Sequence, residues 1–189
     1  MINLAAVFDR VPRFVLFGAA GLIQIALIGL MVADRVMILR TGADVTLQTR
    51  PLDPRDFLRG DYVVLGYDIS TVPTSVLKDE GLARPGRLVF VKLAPNRDGF
   101  HEAISVHAAP VDVASPEVLI RGHVVSSGRT LQVRYGIERY FVPEGEGRKL
   151  ENARNQRKLT IVAAVAPAGR AAIKRLMIDG EPVYDEPWF

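Results

Sequence analysis

The chain has 189 residues and a formal net charge of +3, with 49% hydrophobic and 24% charged residues. This mixture fits one folded domain plus an anchor rather than a disordered chain, and the weak, unclustered positive charge argues against nucleic-acid binding. Because the chain contains no cysteine, disulfides, cysteine-ligated zinc, iron–sulfur clusters and thiol catalysis are excluded.

The first predicted element is a membrane-spanning helix. Phe14 to Val32 is a run of 19 residues without a charge, interrupted only by Gln24. At about 1.5 Å per residue this run is roughly 28 Å long, close to the thickness of the hydrocarbon core of a bilayer. The helical pattern continues to Arg40, and Gly42 is a helix stop. We therefore predict a transmembrane anchor over 14–40, with a buried soluble helix and a cleaved signal peptide as alternatives.

The orientation of this helix is predicted from its flanks. Arg10 and Arg13 lie in the short N-terminal tail, residues 1–13, while Arg35 and Arg40 lie beyond the apolar run, so a count of basic residues does not decide the matter. The tail with its adjacent arginines is typical of an uncleaved signal anchor. We expect a single-pass membrane protein whose tail lies inside the cell and whose C-terminal domain is periplasmic or otherwise extracytoplasmic.

Residues 43–189 predict a mainly β domain. Apolar and polar residues alternate between turn signals, and the spacing is typical of one small β-sandwich or barrel-like domain. One or two short helices are expected, at 74–78 and at 145–155, the second being an exposed helix or a loop. The predicted strands are 44–49, 62–70, 87–94, 100–107, 118–126, 130–142, 159–166 and 171–178.

The most distinctive segment, 51–70, is predicted to be a turn that leads into a strand. Gly60 can supply a positive φ and Asp61 can cap the turn. In the strand that follows, Val63, Leu65, Tyr67 and Ile69 share one face. Two interpretations remain open for the charged residues here: they specify a loop, or they form a cluster at the rim of a functional site. That cluster is Arg55, Asp56, Arg59 and Asp61.

A second segment, 130–142, alternates as far as Tyr135 and is then interrupted. Gly136 is interpreted as a bulge that reverses the pattern, so that Glu138, Tyr140 and Val142 share a face. Glu138 and Arg139 would complement Arg59 or Asp61 across a pocket, or they would be exposed edge charges beside core tyrosines.

These segments carry a resemblance to a known family. Gly60-Asp61-Tyr62, Leu65 and Tyr67 match the pattern GDYxxLxY, and the chain resembles the GDYXXLXY protein family of bacterial membrane-anchored proteins. The resemblance extends through 135–145 and 163–188. Because the family has no established activity, it implies no catalytic residue. Its members are often encoded beside multi-pass membrane proteins, which implies an integral membrane partner.

The candidate functional residues therefore come from the two segments, and no catalytic role is assigned to any of them. No cofactor or metal site is indicated, because His101 and His107 are six residues apart in a predicted strand and so roughly 20 Å apart. The candidate residues are Arg55, Asp56, Arg59, Gly60, Asp61, Tyr62, Leu65, Tyr67, Glu138, Arg139 and Tyr140.

Three functions are compatible with this sequence. The first is a non-enzymatic accessory domain that lies at the lipid bilayer and acts with an integral multi-pass membrane protein or an envelope component. The second is a small envelope hydrolase that uses Asp56, Arg59 and Asp61. The third is a barrel that binds a small ligand of unknown identity, with the C-terminal aromatic residues Tyr184, Trp188 and Phe189 lining the cavity or plugging the end of the domain.

Overall fold

The computed structural model describes residues 12–51, 62–78, 80–143 and 145–187. The chain divides into two compact units, a helical segment up to Met37 and a domain from Ile38 onward. Helix α1 spans Arg13–Thr41 and includes the predicted segment 14–40. Within the described residues it is the one helix long and apolar enough to cross a membrane, and none of its most apolar stretch is buried. This exposure does not fit the alternative of a buried core helix.

The domain is mainly β, as predicted. Its one α-helix in the described residues, α2, spans Gly147–Asn155, and short 3₁₀ helices occur at Asp68–Ser70, Thr74–Val76 and Glu80–Leu82. The strands are β1 (Ala43–Arg50), β2 (Tyr62–Val64), β3 (Gly66–Tyr67), β4 (Thr71–Pro73), β5 (Leu88–Pro95), β6 (His101–His107), β7 (Val118–Ser127), β8 (Thr130–Arg134), β9 (Arg139–Phe141), β10 (Leu159–Val165), β11 (Ala171–Ile178) and β12 (Glu181–Asp185).

The strands form two five-stranded antiparallel sheets and one two-stranded ribbon. The sheet orders are β12-β11-β10-β1-β3 and β4-β8-β7-β5-β6, and the ribbon is β2-β9. Together they make a nearly closed, barrel-like structure. One hydrophobic core lies between the sheets, because alternate residues of each strand point inward, as Val45, Leu47 and Thr49 do in β1.

Hydrogen bonds that involve side chains join the two sheets, which share no strand ladder among the described residues. On one side, the Thr46 N–H of β1 donates to His101 Nδ1 of β6 over 3.2 Å. Near the other end of β1, the Arg50 guanidinium donates to the Thr71 hydroxyl, which itself donates to Gln132 Oε1 over 3.1 Å. These contacts connect β1 with β6 and with the β4–β8 pair.

Three predicted elements differ from the structure. The predicted strand 62–70 is divided into β2, β3 and a 3₁₀ turn, and the predicted strand 130–142 is divided into β8 and β9. The segment predicted as an exposed helix or a loop at 145–155 is helix α2, and it is partly buried. Its few apolar residues, Leu150 and Ala153, are three positions apart and so face the core together.

Gly42 is the single residue between α1 and β1. Its N–H donates to the Ile38 carbonyl over 2.9 Å, while Ile38 and Leu39 pack against Ala164 and Ala172 of the sheet. A Cβ at position 42 would lie 2.6 Å from the Ile38 carbonyl oxygen and 2.9 Å from the Val165 nitrogen. Gly42 is thus the predicted helix stop, but it is required by close backbone approach rather than by a positive φ.

We expect Gly42→Ala to destabilise the protein by about 1–3 kcal/mol, because the new methyl group would meet two backbone atoms that cannot rotate away. Chemical unfolding of the full chain in detergent measures this loss. Gly128→Ala is the matched control, since nothing lies within 4 Å of a Cβ built there. Equal losses in the two variants would contradict the close-approach explanation.

The hydrogen bond between Thr46 and His101 predicts a pH dependence. His101 accepts the Thr46 N–H only when Nδ1 is unprotonated, and burial lowers the pKa of His101 from its ordinary value. A folded pKa below the unfolded value of about 6.5 stabilises the fold above that pH, and this stabilisation is lost as the pH falls.

We therefore expect the wild-type chain to lose free energy of unfolding relative to His101→Asn as the pH falls from about 7.5 to about 5. The asparagine Oδ1 accepts the same N–H and does not titrate. His107, whose pKa is also lowered by burial and by the nearby Lys78 and Lys92, contributes equally to both proteins. Parallel stability curves over this pH range would show that His101 does not sense pH.

Candidate functional site

The ribbon β2-β9 brings the two predicted segments together. Tyr62 pairs with Phe141, Val63 with Tyr140 and Val64 with Arg139, and the Leu65 N–H continues the ladder to the Glu138 carbonyl over 2.8 Å. Because side chains alternate along a strand, Val63 and Tyr140 point into the core. The outward side chains of the ribbon are Tyr62, Val64, Arg139 and Phe141.

Two tyrosines fasten these segments to each other. The Tyr67 hydroxyl donates to the Ile137 carbonyl, and the Tyr135 hydroxyl donates to the Ile69 carbonyl over 2.7 Å. Each hydroxyl therefore reaches the carbonyl two residues beyond the other tyrosine. We call this reciprocal pair of bonds the tyrosine clamp.

Both hydroxyls of the tyrosine clamp remain protonated. Burial raises the pKa of Tyr67 and of Tyr135 well above the ordinary value for a phenol, and the negative charge of Glu138 raises both further. Each phenol is therefore held as a hydrogen-bond donor at physiological pH. Neither is suited to exchange a proton with a substrate near neutral pH.

Glu138 closes the turn between β8 and β9. Its carboxylate accepts the N–H groups of Tyr135 and of Gly136, the latter over 2.9 Å, and Gly136 has a φ of 84°. The pattern does reverse, since Tyr140 and Val142 are buried, but it reverses after Ile137, which is also buried, rather than at Gly136. The predicted bulge is wrong in kind, because Gly136 lies in a tight turn between strands of different sheets.

Arg154 supports the ribbon from helix α2. Its side chain is only 3% exposed, and its Nη1 donates to the Val64 carbonyl on the edge of β2. Nε and Nη2 each donate to Asn155 Oδ1 over 3.1 Å. Burial lowers the pKa of Arg154 from its ordinary value. Sequence reasoning missed this residue, although its spacing from Leu150 and Ala153 places it on the same helical face.

The outward side of the ribbon forms a surface that we call the aromatic face, made of Tyr62, Val64, Arg139 and Phe141. The Tyr62 and Phe141 ring centroids are 5.9 Å apart, and the Arg139 guanidinium carbon lies 5.6 Å from the Tyr62 centroid. Phe141 is 75% exposed and Val64 is 37% exposed. This face combines apolar surface with one cation, which suits contact with another molecule rather than catalysis.

Tyr140 belongs to a second group, at the C-terminal strand. Its ring centroid is 6.4 Å from that of Tyr184, and the Tyr184 hydroxyl donates to Glu146 Oε2 over 3.0 Å. Burial, followed by the charge of Glu186 and a hydrogen bond to it, raises the pKa of Tyr140 to about 12. These contacts attach β12 to the segment that precedes α2. Trp188 and Phe189 lie outside the described residues.

Five candidate residues lie outside the described part of the chain: Arg55, Asp56, Arg59, Gly60 and Asp61. The hydrolase hypothesis, which depends on three of them, stays a prediction. The two histidines of β6 that were considered as metal ligands have separate partners, in β1 and in β6. His101 accepts from Thr46, and His107 Nε2 lies 2.8 Å from Ser105 Oγ.

Comparison with known protein families shows which family the chain belongs to. The model of the GDYXXLXY protein family matches residues 24–176. This chain belongs to the GDYXXLXY protein family. The description of the family states no activity, and comparison with curated proteins and with solved structures finds no match.

The described positions of the GDYxxLxY pattern have different structural roles in this family member. Tyr62 contributes to the aromatic face, whereas Leu65 is fully buried in the core. Tyr67 forms half of the tyrosine clamp. The pattern therefore specifies how the ribbon is held against the domain and part of the surface that the ribbon presents.

We expect Tyr67→Phe and Tyr135→Phe each to destabilise the protein by about 1–3 kcal/mol, because each change leaves a buried carbonyl without its donor. Tyr62→Phe is the matched control, since the Tyr62 side chain is partly exposed; its effect should stay within about 0.5 kcal/mol. Chemical unfolding of the full chain in detergent measures all three. An equally large loss of stability after Tyr62→Phe would show that the two clamp bonds contribute no more than a partly exposed tyrosine hydroxyl.

Proposed function

We propose that this protein is a membrane-anchored, non-enzymatic accessory domain that acts with an integral membrane protein or another component of the envelope. The observation that carries the proposal is the junction at Gly42, where one residue separates the candidate membrane helix α1 from β1. β1 lies inside its sheet, between β10 and β3. An anchor joined directly to an internal strand keeps the domain beside the bilayer.

The roles of the described motif residues also support a non-enzymatic function. Leu65 and Tyr67 are buried, and the Glu138 carboxylate is occupied by two backbone N–H groups. A catalytic carboxylate or phenol must reach a substrate with a pKa close to the working pH. The raised pKa of Tyr67 and of Tyr135 suits a structural donor instead.

The proposed location is the bacterial inner membrane, with a single span and a periplasmic domain. Arg10 and Arg13 precede the apolar run, as in a signal anchor that is not cleaved. The family resemblance, which implies that members are often encoded beside multi-pass membrane proteins, favours an integral partner.

We expect the full chain, purified from its native membrane in a mild detergent, to bring one multi-pass membrane protein with it in near-equal amount. A matched chimera, in which 14–32 is replaced by an unrelated apolar helix of the same length, shows whether α1 or the domain binds this partner. Mass spectrometry identifies and quantifies it.

Two outcomes would count against the proposal. A partnerless preparation would remove the accessory role. Protease digestion of intact spheroplasts tests the location, and survival of the domain in that experiment would reverse the proposed orientation.

A further inference from the structure

The aromatic face contains more exposed apolar surface than the fold requires. The core is closed by the inward residues of the ribbon, Val63 and Tyr140, whereas Phe141 on the outside is 75% exposed. Single exposed apolar residues are common on proteins, but here two rings and an aliphatic side chain are adjacent. Clustered exposure of this kind is typical of an interaction site.

The position of the aromatic face within the domain restricts what can cover it. α1 ends beside the first residue of β1, Ala43, while the last residue, Arg50, pairs with Gly66 of β3. β2 precedes β3, so the ribbon lies beyond the far end of β1. Eight residues of strand correspond to about 26 Å, so the face is remote from the point where α1 meets the domain. The face is therefore not part of the surface immediately around the junction at Gly42.

The chemistry of the face points to a protein. Arg139 lies against the Tyr62 ring and forms no ion pair with a carboxylate among the described residues. Tyrosine, phenylalanine and arginine together are the side chains enriched in the centres of protein interfaces. An exposed guanidinium over apolar surface complements a carboxylate that has an apolar neighbour.

The backbone of the ribbon offers a way to hold such a segment. Within the described residues β9 pairs with β2 alone, so its other edge is not part of any ladder. An extended chain can add to such an edge through main-chain hydrogen bonds, with alternate side chains meeting the neighbouring face.

We propose that the aromatic face docks an extended segment of another protein, which brings a carboxylate to Arg139 and an apolar side chain to the Tyr62 and Phe141 rings. The inference rests on the proposed accessory function and deepens it, because it assigns the surface that recognises the partner.

Site-specific photocrosslinking in native membranes tests this assignment. The full chain carries p-benzoylphenylalanine in place of Phe141, and the control chain carries it in place of Val125, which is 46% exposed on β7. We expect one discrete protein adduct from position 141 and none from position 125. Mass spectrometry of the adduct should give an extended segment that contains an aspartate or a glutamate.

Charge reversal then tests the role of Arg139. We expect Arg139→Glu to lower the adduct yield about tenfold or more, as for the loss of one close charge pair, and Arg139→Lys to lower it less. When the captured aspartate or glutamate of the partner is replaced by lysine, the adduct yield with the Arg139→Glu chain should be restored. Because Arg139 is exposed, its variants should unfold at the wild-type denaturant midpoint.

Several results would overturn the assignment: no adduct, an adduct to lipid, to a second copy or to residues 52–61 of the same chain, or a yield unaffected by Arg139→Glu. The failure of this inference can be told from that of the proposed function. A partner that co-purifies without crosslinking at position 141 leaves the accessory role in place and moves the interface elsewhere, whereas loss of both removes both.

Discussion

The rest of the structure around the motif depends on the reciprocal bonds of the tyrosine clamp. β2 and β9 have three residues each, and a two-stranded ribbon of that size is not stable in water by itself. The clamp fixes both chain segments at one end of the ribbon, where residues 65–69 leave β2 and residues 135–138 lead into β9. Arg154 adds a bond from helix α2 to the edge of β2. The ribbon that carries the aromatic face is thus held by bonds from the segment after β2, from the turn before β9 and from helix α2.

These bonds connect parts of the chain that are far apart in sequence. The two hydroxyl bonds join residues 70 and 66 positions apart. Contacts of such separation require much of the chain to be ordered before they can form, because loop closure costs entropy. The ribbon and its outward surface are therefore expected to assemble only after the sheets that carry them.

The strand pattern of this fold could largely be predicted from the sequence, because alternation records which side chains face the core. Val63, Leu65, Tyr67 and Ile69 are all buried as predicted, although Leu65 lies in a one-residue break between β2 and β3 and Ile69 lies in a 3₁₀ turn. The missed strands β4 and β12 contain Pro73 and Pro182 and lie at sheet edges, where proline is tolerated. A sequence prediction that excludes proline from strands does not find such edge strands.

The partners within the candidate site were harder to predict. The sequence left open whether the two motif segments meet, and the acceptor of each tyrosine hydroxyl depends on a register between distant strands. Glu138 bonds to backbone groups of its own turn, and no charge pattern reveals that choice. Gly42 was correctly predicted to end the helix, yet its steric cause, the nearby backbone of β10, lies more than a hundred residues further along the chain.

The one-residue junction at Gly42 has a consequence for how a partner would be found. A domain on a long flexible linker searches a large volume, whereas one connecting residue allows only a short distance between the domain and the end of the helix. In the proposed membrane-anchored protein, encounters with another membrane protein are therefore a two-dimensional search close to the bilayer. Confinement to this layer raises the effective concentration of the two surfaces, so that a weak interface is sufficient to keep the two proteins together.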